Sequence, residues 1–104
     1  MRGDVYRLRA PRDTRGNEQR GTLYAVVVQS DLLPLSTWLV APTSSSARPA
    51  SFRPEIELDG KLTRVLVEQT TAIDPQRLGD YAGRLTSAEQ GEVDDALRRL
   101  LGLT

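Results

Sequence analysis

The chain has 104 residues, 38% of them hydrophobic and 27% charged, and its 14 basic and 14 acidic side chains cancel. That composition supports one ordinary domain over residues 1–104 and is too apolar for a disordered chain. Cysteine and histidine are both absent, which excludes disulfide staples, thiolate nucleophiles, Cys-containing zinc sites and any Ser-His-Asp or Cys-His arrangement within this chain.

The first residues, MRGDVYRLR, lack the apolar middle of a signal peptide. No run in the chain approaches the roughly 18 apolar residues that span a bilayer, so a soluble cytoplasmic domain is expected. Residues 4–9 open as a short strand with Tyr6 and Leu8 on one face. Residues 10–21 are polar, hold Pro11, Gly16 and Gly21, and predict an exposed loop long enough to be functional. Residues 22–29, ending in Ala25-Val26-Val27-Val28, predict a buried central strand. A short strand over 37–40 is expected to end at Pro42, and the Ser-rich stretch 43–50 follows as a second loop. Residues 52–58 alternate, with Pro54 placing them on a sheet edge. Asp59-Gly60 signals a tight turn, and residues 63–69 return as a buried strand.

Asp74 followed by Pro75 predicts an N-capped turn of helix, and 81–85 one more short strand. The last segment is the strongest helix. Thr86 and Glu89 have capping-box spacing, and Val93, Ala96, Leu97, Leu100 and Leu101 form one apolar stripe. Gly102 supplies the stop. The expected architecture is mainly β with a C-terminal helix (α+β), a small antiparallel, partly closed barrel.

The charge is unevenly spread. Residues 1–53 carry eight arginines against four acidic groups, a local +4, and residues 54–104 carry −4. An arginine-rich half suits a polyanion, because the guanidinium pairs with phosphate bidentately; it equally describes a solvated surface of mixed charge.

The order of these elements resembles the MazF/PemK (Kid) toxins of bacterial toxin–antitoxin modules. The resemblance rests on Arg2-Gly3-Asp4-Val5-Tyr6, on Gly16-Asn17-Glu18-Gln19 followed by Val26-Val27-Val28-Gln29-Ser30, and on Ala41-Pro42-Thr43-Ser44. It continues through Val65-Leu66-Val67-Glu68-Gln69, Ile73-Asp74, Arg77-Leu78, Gly83 and the Val93-Asp94 helix. It implies an SH3-like barrel, a homodimer, and neutralisation by a MazE-like antitoxin. It also implies metal-independent, cofactor-free endoribonuclease action on specific sequences of single-stranded RNA. In that reaction the RNA's own 2′-oxygen attacks phosphorus, leaving a 2′,3′-cyclic phosphate and a 5′-hydroxyl. A chain without Cys or His is compatible with it, since the protein supplies no nucleophile and only moves protons and steadies charge.

Carried over residue by residue, the resemblance makes Thr43 the threonine at the end of the third strand, its hydroxyl donating to a non-bridging phosphate oxygen. The alternative is a loop-entry residue bonding its own backbone. The family's Arg-Pro pair falls on Leu23 and Tyr24, leaving Arg20 as the nearest candidate guanidinium, with Arg15 as a substitute and Glu18 as a general base. Arg20 reads otherwise as a loop charge. Glu18 and Gln19 match a loop that orients the 2′-hydroxyl or reads a base edge, or else are solvated. Ser44 and Ser45 offer donors to phosphates. Gln69 is a base-contacting or structural amide. Tyr24 is strand-entry packing or a stacking or proton-handling group, and Trp38 is core or dimer interface. The missing Arg-Pro pair keeps open a non-enzymatic binding toxin like CcdB, or a catalytically degenerate member.

Overall fold

The computed structural model describes residues 1–9 and 23–103. Seven strands and one helix follow in the order β1 (Asp4–Leu8), β2 (Tyr24–Val27), β3 (Trp38–Ser44), β4 (Glu55–Leu58), β5 (Lys61–Val65), β6 (Thr71–Ile73), β7 (Leu78–Arg84) and α1 (Ser87–Leu101). The sheet runs β4-β5-β3-β2-β1-β7, all neighbours antiparallel, with β6 paired to β3. Because β3 pairs with β6 along Trp38–Val40 and with β5 at Thr43 and Ser44, the sheet splits along that strand and curls into a half-barrel.

Alternation along the central strands builds a core on each face. Val5, Val26, Ala41, Ile56 and Val65 pack with Val93 and Ala96 of α1, all within 2% of full burial. Ala25, Val27, Val40, Ile73 and Leu78 form the other cluster, flanked by half-buried Tyr6, Leu8 and Trp38. Tyr6 stands edge-on to Tyr81 at 5.6 Å between ring centroids and tilted against Trp38 at 6.2 Å. Trp38 is thus packed in an aromatic cluster.

Local signals are realised where the hydrogen bonds are local. Glu89 N–H donates to Thr86 Oγ1 at 3.1 Å and Thr86 N–H to Glu89 Oε1 at 2.9 Å, completing the capping box. Asp74 Oδ1 accepts from Gln76 N–H at 2.9 Å. Asp59 and Gly60 both take positive φ, 51° and 76°, and close a two-residue hairpin between β4 and β5.

Four boundaries differ from the sequence reading. β3 continues through Pro42 to Ser44. The Pro42 carbonyl accepts from Leu66 N–H at 2.8 Å, and the Leu66 carbonyl that a residue-42 N–H would have met accepts instead from Gln69 N–H at 2.9 Å, so the missing proline donor leaves no acceptor unpaired. The strand expected over 63–69 ends at Val65; Val67–Gln69 is a 3-10 turn, closed by Thr70, whose N–H and hydroxyl both donate to the Val67 carbonyl. β7 begins at Leu78, where a Cβ on Gly79 would sit 3.2 Å from the Arg7 carbonyl, a tight contact that glycine relieves as the strands approach. Finally, the α1 stripe is used only through Leu97, since Leu100 and Leu101 are exposed at 42% and 63%.

Candidate functional site

Thr43 lies at the end of β3 and is only 2% exposed. The β2–β3 register pairs Ala25 with Pro42 and Val26 with Ala41, so the next pair is Tyr24 with Thr43. Across β1–β2, Arg7 pairs with Tyr24, and across β3–β5 Thr43 pairs with Val65. Arg7, Tyr24, Thr43 and Val65 therefore form one row across four strands. They share the face of Val5 and Val26, because each lies an even number of residues from a member of that cluster.

The row is held from above. Tyr24 Oη donates to Asp59 Oδ2 at 3.2 Å, from the β4–β5 turn. The Arg7 guanidinium carbon lies 5.6 Å from the Tyr24 ring centroid, inside the range of a cation–π contact. Arg7 is exposed and makes no ion pair among the described residues. Leu23, on which the resemblance sets the family's arginine, accepts Leu8 N–H at 2.8 Å through its carbonyl. That continues the β1–β2 register by one pair and turns the Leu23 side chain to the opposite face from Thr43.

Beside Thr43, Ser44 is buried with its Oγ 3.3 Å from Ser46 Oγ, and Ser45 is exposed. The segment that follows is pinned at both ends. Arg53 donates through Nε and Nη2 to Glu68 Oε2 at 2.9 and 2.6 Å and through Nη1 to the Arg48 carbonyl at 3.1 Å. Arg64 donates to the Ala47 carbonyl and to Glu55 Oε1, each at 3.0 Å. Glu68 Oε1 is buried without a partner. Gln69 ends the adjacent 3-10 turn with an exposed side chain.

Of the candidate residues, Thr43, Ser44 and Ser45 are consecutive at this corner, and Gln69 follows the β5 end that pairs with it. Arg15, Glu18, Gln19 and Arg20 lie outside the described residues. Two members of the site escaped the sequence reading. Arg7 was legible in principle, since it shares alternation with Val5; Asp59 read only as a turn residue. Among the described residues no three His, Cys, Asp or Glu side chains gather as a metal would require, and no helix is long and apolar enough to cross a membrane.

A family model described as a PemK-like, MazF-like toxin of type II toxin–antitoxin systems matches residues 1–101. A Mycobacterium tuberculosis relative bearing a toxin name is 44% identical over 104 residues, covering 99% of this chain and 98% of that protein. Endoribonuclease EndoA of Bacillus subtilis is 32% identical over 110 residues, covering 98% and 94%. Among solved structures, a mycobacterial endoribonuclease in complex with its cognate antitoxin superposes with a TM-score of 0.81 at 20% identity, covering 100% of this chain and 96% of that one. A MazE–MazF structure from Deinococcus radiodurans gives 0.74 at 22% identity, with 98% and 95% covered. Sequence and fold agree, and the chain belongs to the PemK-like, MazF-like toxin family of type II toxin–antitoxin systems.

Proposed function

We propose that this toxin is a metal-independent endoribonuclease acting in the cytoplasm on single-stranded RNA, as one domain over residues 1–104 that works as a homodimer. The observation that carries the reading is the row joining Arg7, Tyr24 and Thr43 across β1, β2 and β3, in a chain 32% identical to a protein named endoribonuclease. In the reaction the 2′-oxygen forms a bond to phosphorus while the bond to the 5′-oxygen breaks. The 2′ proton goes to a base and a proton reaches the 5′-oxygen, giving a 2′,3′-cyclic phosphate and a 5′-hydroxyl. Thr43 donates to a non-bridging oxygen from the end of β3. Arg20, Arg15, Glu18 and Gln19 act from the segment between β1 and β2, with Glu18 as base, and Ser44, Ser45 and Gln69 hold neighbouring nucleotides. A MazE-like antitoxin with an acidic segment competes for the same positive groove.

Incubating the purified, antitoxin-free protein with a long, structure-poor RNA in EDTA tests this. Discrete cuts ending in cyclic phosphate, lost in Thr43→Ala, are expected; intact RNA at high protein concentration overturns the reading. Leu23-Tyr24 in place of Arg-Pro favours a second reading, a CcdB-like binding toxin or a degenerate member, and intact RNA even with Leu23→Arg selects it.

A further inference from the structure

We infer that Arg7, on β1, supplies the guanidinium that faces the scissile phosphate, and that Tyr24 is the platform holding it there; the inference rests on the cleavage reading above. Three observations carry it. First, Arg7 is in register with Tyr24, and the β2–β3 register carried one pair past Ala25–Pro42 sets Tyr24 opposite Thr43, so Arg7 and Thr43 stand on one face of two strands about 10 Å apart. Second, the guanidinium lies 5.6 Å from the Tyr24 ring centroid. Arg7 makes no ion pair among the described residues, so its N–H groups are available for two phosphate oxygens. Third, the ring is itself anchored by its bond to Asp59, so the charge is positioned before substrate arrives and little ordering remains for the bound state.

Among the described residues, several other arginines are already engaged in ion pairs. Arg53 is bonded to Glu68, Arg64 to Glu55, Arg84 to Asp4 and Arg2 to Asp94. Position 23, where the family arginine would stand, holds a leucine turned to the opposite face. A strand residue on the correct face thus takes the place of one on the wrong face. During cleavage Arg7 gains and loses no proton. It balances the charge that builds on the two non-bridging oxygens as the 2′-oxygen bonds to phosphorus and the 5′-oxygen departs.

The test compares single-turnover cleavage of one mapped RNA site by wild type, Arg7→Ala, Arg7→Lys, Tyr24→Leu and, as a charge control on the exposed face of α1, Arg98→Ala. Arg7→Ala is expected to slow the maximal rate about 10²- to 10³-fold at an unchanged melting temperature. Added ethylguanidinium should restore part of the loss. Arg7→Lys should fall between, because an ammonium neither stacks nor binds bidentately. Tyr24→Leu should lose about tenfold, and Arg98→Ala nothing. Wild-type cleavage with an unimpaired maximal rate in Arg7→Ala, or a loss confined to KM, overturns the assignment and leaves the nuclease standing. An inert wild type removes the nuclease reading and this inference with it.

Discussion

Arg2 and Asp94 are 92 residues apart in the chain, and a 2.5 Å bond from Nη2 to Oδ1 joins them. The same arginine donates through Nε to the Val28 carbonyl at 3.1 Å, and the same carboxylate accepts from Gln90 at 3.0 Å. One side chain therefore ties the start of the chain both to the end of β2 and to α1.

Burial alone raises the Asp94 carboxyl, but the hydrogen bonds from Arg2 and Gln90 and the charges of Arg2 and Arg98 outweigh it and hold the group below its ordinary value of 3.8. A depressed folded pKa contributes stability that is present above the unfolded value and is lost as pH falls through the folded one. Asp94→Asn should cost about 1 kcal/mol at pH 7, a drop of about 4–8 °C in Tm. The gap to wild type should close below about pH 4. Thermal unfolding of both proteins from pH 7 to pH 2.5 checks it, and a gap that persists at the acid end assigns the loss elsewhere.

Thr43 is buried, so its hydroxyl can be removed with little change of shape. Thr43→Val should unfold within about 1 kcal/mol of wild type yet cleave RNA about 10²-fold more slowly, with Thr43→Ser retaining most of the rate. Equal rates for wild type and Thr43→Val would make the residue structural.

The Arg53–Glu68 pair, 24% and 22% exposed in its side chains, holds the segment between β3 and β4. Arg53→Ala leaves the Glu68 carboxylate without its donor and should destabilise by about 1–3 kcal/mol. Limited proteolysis should open a new site within residues 45–53, because the bond to the Arg48 carbonyl goes too. Denaturant melts and mass mapping of the nicked product measure both effects.

Asp59 combines a left-handed backbone, φ 51°, with acceptance of the Tyr24 hydroxyl. Asparagine satisfies both requirements, so Asp59→Asn should fall within about 0.5 kcal/mol of wild type. Asp59→Val meets neither and should lose about 2 kcal/mol or more. If Tyr24 positions Arg7, the valine variant should also cleave more slowly in proportion to the Tyr24→Leu loss, a readout that stability alone would not move.

Features closed by neighbouring residues were legible in the chain itself. The Thr86–Glu89 box and the Asp74 cap satisfy backbone donors within three residues, and Asp59-Gly60 sets its own turn geometry. The buried central strand followed from the continuous apolar run Ala25–Val28, and the packed face of α1 from the helical stripe as far as Leu97. What the sequence alone could not decide depended on partners distant in the chain. Pro42 stays inside β3 because the Leu66 carbonyl opposite it is satisfied by Gln69 N–H, and Leu100 and Leu101 stay exposed although their spacing continues the stripe. The candidate site divides in the same way. Thr43 at a strand end was readable by resemblance, whereas the pairing of Arg7 with Tyr24, and the turning of Leu23 to the other face, are properties of strand register. Register is set by which rows bury together, and a shift of one residue would reverse every side chain on β1. Only the assembled sheet selects it.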